Sequence, residues 1–192
     1  MRYKFFWAIR TLYLRFFFKG IGAYCYIGKP TYILNARNIK IGKKVRIFPG
    51  MRIESHNNGT ICICDDVSIG QNFHLICSKN KLIIGAHTTI SANVFITNID
   101  HDYQKLNVHI LKQDYLEKET QIGENCFIGY GAVIQAGTIL GKQCVVGANS
   151  VVRGKFPDYC IIVGIPAKIV KRYNCETMRW EKTDFNGNFI LI

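Results

Sequence analysis

Residues 122–152 read "IGENCFIGYGAVIQAGTILGKQCVVGANSVV", and an aliphatic side chain returns at every sixth position: Ile122, Ile128, Ile134, Leu140, Val146 and Val152. Outward from this run the same spacing recurs in shorter sets. These are Ile41, Ile47 and Ile53; Ile63, Ile69 and Leu75; Ile84, Ile90 and Ile96. Three residues after an anchor stand Gly50, Asp66, Asn72, His87, Asn93, Asn125, Gly131, Gly137 and Asn149. These residue types tolerate the left-handed backbone that a tight corner requires. Four residues after an anchor stand Val45, Val67, Thr88, Val94, Cys126, Ala132, Cys144 and Ser150, small or β-branched side chains suited to a crowded interior.

A period of six matches neither the 3.6 of an α-helix nor the 2 of an alternating strand. It is the hexapeptide signature of a parallel β-helix, in which each hexad supplies one short strand and one turn. Stacked coils then bury a continuous aliphatic column. Fifteen anchors at three hexads per coil predict an all-β chain of about five coils. Phase slips at "SHNNGT" (55–60) and "SKNK" (78–81) are expected to be small corner loops.

The ends read differently. "MRYKFFWAIRTLYLRFFFKG" is basic and aromatic, and its five Lys and Arg interrupt the apolar run too often for a spanning helix. Residues 1–22 are expected to form an amphipathic helix, 23–172 the β-helix domain, and 173–192 a C-terminal tail. Such a helix can lie in a membrane interface, or pack on its own domain or a neighbouring subunit, and the residues alone leave these open. A secretory signal is not expected, because no small-residue cleavage site follows a clean apolar core.

The composition narrows the partners. Twenty-five Lys and Arg against 13 Asp and Glu give a net charge of +12, which favours an anionic partner. Nucleic acid is not expected, because aromatics do not interleave with the basic residues on the repeat. Eight cysteines contain no CxxC pair, so they read mostly as reduced, small core residues in a reducing compartment.

The repeat breaks between Ile96 and Ile122. Residues 97–121, opening with "TNIDHDY" (97–103), are therefore expected to project as a loop. A projecting arm is how a smooth-sided scaffold can build a pocket. At this point the chain resembles the hexapeptide-repeat acyltransferases. The likeness covers roughly 38–172 and is most specific in "IGAHTTISANVFITNIDH" (84–101) and in "GANSVV" followed by "GIPAKIVK". The first segment is similar to the one carrying the catalytic histidine of maltose and galactoside O-acetyltransferases.

That resemblance implies a left-handed β-helix, a homotrimer with active sites between subunits, acetyl-CoA as acyl donor and a carbohydrate acceptor. It implies His101 as the general base; Asp100 and Asp102, which flank it, and Asn98 are candidates to orient the ring or meet substrate. Gly147, Ala148, Arg153, Gly154, Lys168 and Lys171 match the family's cofactor-binding positions; a C-terminal helix would put the two lysines on one face. An imidazole titrating near neutrality can take a proton from a weak nucleophile as it attacks. The asparagine that relatives place across from the histidine is missing from "HLICSKN", and Tyr130 stands where small residues are usual.

His56, His74, His87 and His109 read as surface residues, and no metal site is expected, because a β-helix hydratase needs three convergent imidazoles. The expected activity is O-acetylation of a sugar in bacterial polysaccharide biosynthesis, in the cytoplasm or at the inner face of its membrane. Two alternatives are an N-acetyltransferase for an amino-sugar nucleotide and a non-catalytic repeat scaffold.

Overall fold

The computed structural model describes residues 2–190. From Gly20 the chain winds through three parallel sheets. One holds Gly20–Ile21, Ile39–Ile41, Thr60–Ile63, Lys81–Ile84, Thr120–Ile122, Ile139–Leu140 and Lys155–Phe156. A second begins Tyr26–Ile27, Arg46–Ile47, Ser68–Ile69, Thr89–Ile90, Phe127–Ile128, Val145–Val146 and Cys160–Gly164. The third runs Tyr32–Leu34, Arg52–His56, His74–Ser78, Phe95–Thr97, Val133–Ile134 and Val151–Val152.

The hexad columns become the architecture directly. Anchors register on anchors, as in Ile53 on Leu75 on Ile96 on Ile134 on Val152, and each of these is fully buried. All nine corner residues singled out from the sequence have positive φ, from 53° at Asp66 to 90° at Gly50. The eight small or β-branched positions that follow are at most 2% exposed. Polar corners bond to the next coil: Asn72 Nδ2 donates to Asn93 Oδ1 at 3.0 Å. The cysteines are all free; Cys25, Cys77, Cys126, Cys144 and Cys160 are buried, whereas Cys175 is exposed.

Three expectations change. There are about six coils rather than five. The first, over Gly20–Leu34, keeps the period of six through Ile21, Ile27 and Ile33. A 3₁₀ turn at Ala36–Asn38 then shifts the phase ahead of Ile41 and hides it. The helix spans Arg2–Leu14 and stops short of 22, because residues 20–21 are already the first strand.

At the C-terminus, strands replace the expected helix. Ala167–Asn174 pairs antiparallel with Cys160–Gly164, and Arg179–Lys182 pairs with it in turn. The edge of the last coil offers unpaired backbone groups, and pairing satisfies them where a helix would not. The helix at the other end lies across the first coil. Thr11 Oγ1 accepts from the Ile27 amide at 2.9 Å, Trp7 meets the rings of Tyr26 and Phe48, and Leu14 and Phe18 join the core.

Candidate active site on the projecting arm

The arm leaves the third sheet after Thr97 and is held at its root by Asn98. This side chain is fully buried; its Oδ1 accepts from the Ser78 amide (2.8 Å) and its Nδ2 donates to the Ser78 carbonyl (2.9 Å). Asn98 therefore anchors the arm, with its amide wholly engaged by backbone. Beyond it, Ile99–His101 pairs antiparallel with Tyr115–Glu117, with His101 opposite Tyr115. The tip is knitted by buried Gln113, which bonds the backbone of Lys105 and Val108 at 3.0–3.2 Å. Glu117 ties the returning strand back to Ser78 Oγ (3.1 Å) and Lys79 Nζ.

His101 is exposed at the end of this ribbon, its ring edge-on to Tyr115 with centroids 4.9 Å apart. Among the described residues the imidazole has no hydrogen-bond partner. Side chains alternate along a strand, so Asp100 faces away from the His101 ring. Its carboxylate instead meets Lys118 Nζ at 3.1 Å and forms a close ion pair with Arg153. Asp102 caps its own turn by accepting from the Gln104 amide at 3.1 Å. Neither aspartate orients the ring within the chain.

The six expected cofactor residues fall into two groups. Arg153 and Gly154 sit at the arm's corner of the solenoid, where Gly154 adopts a φ of 119° open to glycine. Gly147 and the exposed Ala148 lie at the neighbouring corner. A Cβ on Gly147 would come 2.8 Å from Val163 Cγ1, and Val163 pairs with Lys168. Lys171 pairs with Ile161, and a bulge leaves Val170 unmatched between them. Because Ile161 and Val163 flank buried Ile162, the bulge turns both lysines to the outer face. They share a face on a strand, not on the helix expected there.

One cluster went unread in the sequence. Glu54, 5% exposed, accepts from Arg52 Nε at 2.5 Å, and its other contacts are the Nε2 atoms of His56 (3.1 Å) and His74 (3.3 Å). Burial alone would raise its carboxyl, but the three hydrogen bonds hold it below the usual carboxylate range. Phe95 packs against His74 with centroids 5.0 Å apart. The sequence signal was the alternation 52, 54, 56 on a strand lengthened past its hexad, which puts these side chains on one face. Among the described residues no group of three or more His, Cys, Asp or Glu is placed to hold a metal ion.

Residues 119–153 match the family model described as the hexapeptide repeat of succinyl-transferase. Over 160 residues the chain is 37% identical to WbbJ of Escherichia coli K12, named for O-acetyl transfer in lipopolysaccharide biosynthesis, covering 80% of this chain and 81% of that one. The chain belongs to the hexapeptide-repeat acyltransferases. Galactoside O-acetyltransferase of Lactococcus lactis is 25% identical over 166 residues, 84% of this chain and 66% of its own length. Among solved structures, AntD, an N-acyltransferase from Bacillus cereus in complex with dTDP and 3-hydroxybutyryl-CoA, shares the fold. Its TM-score is 0.73 at 19% identity, with 88% of this chain and 90% of that one covered. This acyltransferase chain thus has the family's left-handed β-helix.

Proposed function

We propose that this acyltransferase transfers acetyl from acetyl-CoA to a carbohydrate hydroxyl in bacterial surface-polysaccharide assembly, with His101 as general base. The observation that carries this reading is an exposed imidazole, held on a doubly anchored ribbon against Tyr115 and with no hydrogen-bond partner among the described residues. WbbJ, similar over four-fifths of both chains, carries the name that supports the acceptor class.

When bound, the donor supplies an acetyl thioester. His101 removes the acceptor hydroxyl proton as the new C–O bond forms, then returns that proton to the departing sulfur. No covalent bond to the protein is needed. Lys168 and Lys171, side by side on the outer face near the Gly147–Ala148 corner, suit an anionic phosphate group. Arg153 holds Asp100 and so sets the arm against the last coils.

The two cofactor groups sit at different corners, and among the described residues no hydrogen bond orients the His101 ring. A homotrimer would complete the site by bringing one copy's arm against a neighbour's corner. The aromatic, basic helix supports a peripheral contact with the inner face of the cytoplasmic membrane. The test is release of free thiol from acetyl-CoA on adding a panel of glycans. We expect glycan-dependent release, lost in His101→Ala; release that ignores the glycan, or none with any glycan, would contradict the proposal.

A further inference from the structure

The charge of this chain is not spread along the solenoid. Residues 1–53 contain 12 Lys and Arg and no Asp or Glu, whereas residues 54–192 hold 13 of each sign. The whole net charge of +12 therefore resides in the N-terminal helix and the first two coils. Three of these cations are neutralised locally, in the pairs Lys43–Asp65, Arg46–Asp66 and Arg52–Glu54. Among the described residues Lys4, Lys19, Lys29, Arg37, Lys40 and Lys44 are exposed and lack an acidic partner.

The helix on the same tip is apolar on both sides. Its inner face, Trp7, Thr11 and Leu14, closes the end of the core together with Phe18 in the turn that follows. Its outer side exposes Phe5 (64%), Phe6 (61%), Ile9 (50%), Leu12 (56%) and Tyr13 (62%), and the turn after it exposes Phe16 (84%). A solenoid cap that only shields the last coil has a polar outer face, because solubility demands it. Aromatic and aliphatic side chains on the same tip as cations without acidic partners are the composition of a helix lying in a lipid headgroup layer.

We infer that the N-terminal tip docks end-on to an anionic bilayer, with the outer side of the helix in the interface and the cations of the first two coils over acidic headgroups. This gives the membrane contact proposed above a defined surface; it rests on that reading but not on the acyl-transfer chemistry. It also fixes where the reaction occurs. Coils stack about 4.8 Å apart, so the arm, leaving the fourth coil, stands roughly 15 Å above the first. An acceptor attached to lipid would present a sugar one or a few units from the membrane to His101.

The test is flotation of the full-length protein with vesicles of roughly three parts phosphatidylglycerol to seven parts phosphatidylcholine. We expect binding that weakens on the order of ten-fold when salt rises from about 0.05 M to about 0.5 M, and no binding to phosphatidylcholine alone. The triple variant Phe6→Ser, Ile9→Ser, Phe16→Ser and the double variant Lys40→Glu, Lys44→Glu should each lose binding, with folding checked by circular dichroism. All five residues are exposed, so fold and acyl transfer to a soluble acceptor should persist. Lys182→Glu, at the opposite end, should bind as wild type.

Absence of binding to the acidic vesicles overturns the inference, as does binding unmoved by the serine triple. If that triple instead lowers the particle mass in light scattering, a second copy covers the helix. If duplex DNA competes with vesicles at equal charge for the same residues, the tip is a nucleic-acid surface. Either result also overturns it. None of these outcomes bears on thiol release, so the acyl-transfer reading fails or survives separately.

Discussion

His101 can act as a base only if its ring is presented to substrate, and the ribbon does this by ending its paired strand at the imidazole. Replacing it should remove the proton acceptor without touching the core. His101→Ala should lower turnover by about 10²–10⁴-fold while leaving the melting temperature within a degree or so of wild type. Turnover like wild type would return His101 to the solvated surface. Glu54 makes the opposite case, a buried carboxylate serving stability. Its folded pKa is depressed, so its contribution is present above the unfolded carboxyl value and is lost as pH falls through the folded one. Stability should therefore drop on acidification below about pH 4.3, and Glu54→Gln should flatten that limb in a denaturant series while destabilising at pH 7. An unchanged acid limb would mean the two histidines and Arg52 gain nothing from the carboxylate.

The arm shows why some elements were legible and others were not. Repeats can be read because each hexad obeys the same local rule; the corner and interior columns were therefore correct at every position named. Where a residue's conformation is imposed by position alone, as at Tyr24, Lys44 and Gln143 with φ of 60°, 57° and 50°, residue type gave no hint. The arm's existence, and the position of His101 on it, were visible from the broken period. Its partners were not: Asn98 bonds to Ser78, Asp100 to Arg153, and these contacts depend on which coil lies beside which. Asn98→Ala would strand the buried amide of Ser78, whose carbonyl keeps the Asn80 amide, at a cost of about 1–3 kcal/mol. Hydrogen exchange should then rise across 99–117 before it rises in the coils; uniform protection would mean the arm is held elsewhere. At the other end, a helix was expected from "GIPAKIVK" because periodicity in a short segment cannot foresee an unpaired sheet edge. The lysine pair survives that change. Lys168→Gln with Lys171→Gln should raise KM for acetyl-CoA more than for its 3′-dephospho analogue, with kcat little altered. Equal effects on both donors would leave the pair a solvated edge.

At the scale of the whole molecule, the solenoid separates three tasks along its axis. The N-terminal helix and first two coils carry all the net charge, the fourth coil releases the arm, and the last two with their hairpin carry the small corners and the lysines. The central claim is that these parts serve ester formation on a sugar hydroxyl. The measurement that reaches it most directly is mass spectrometry of a glycan acceptor incubated with acetyl-CoA and the enzyme, before and after mild alkali. An acetyl ester leaves in alkali, whereas an acetyl amide stays. The account predicts an alkali-labile acetyl group that appears with the wild-type enzyme and not with His101→Ala. An alkali-stable acetyl group on an amino sugar, formed equally well without the imidazole, would contradict it.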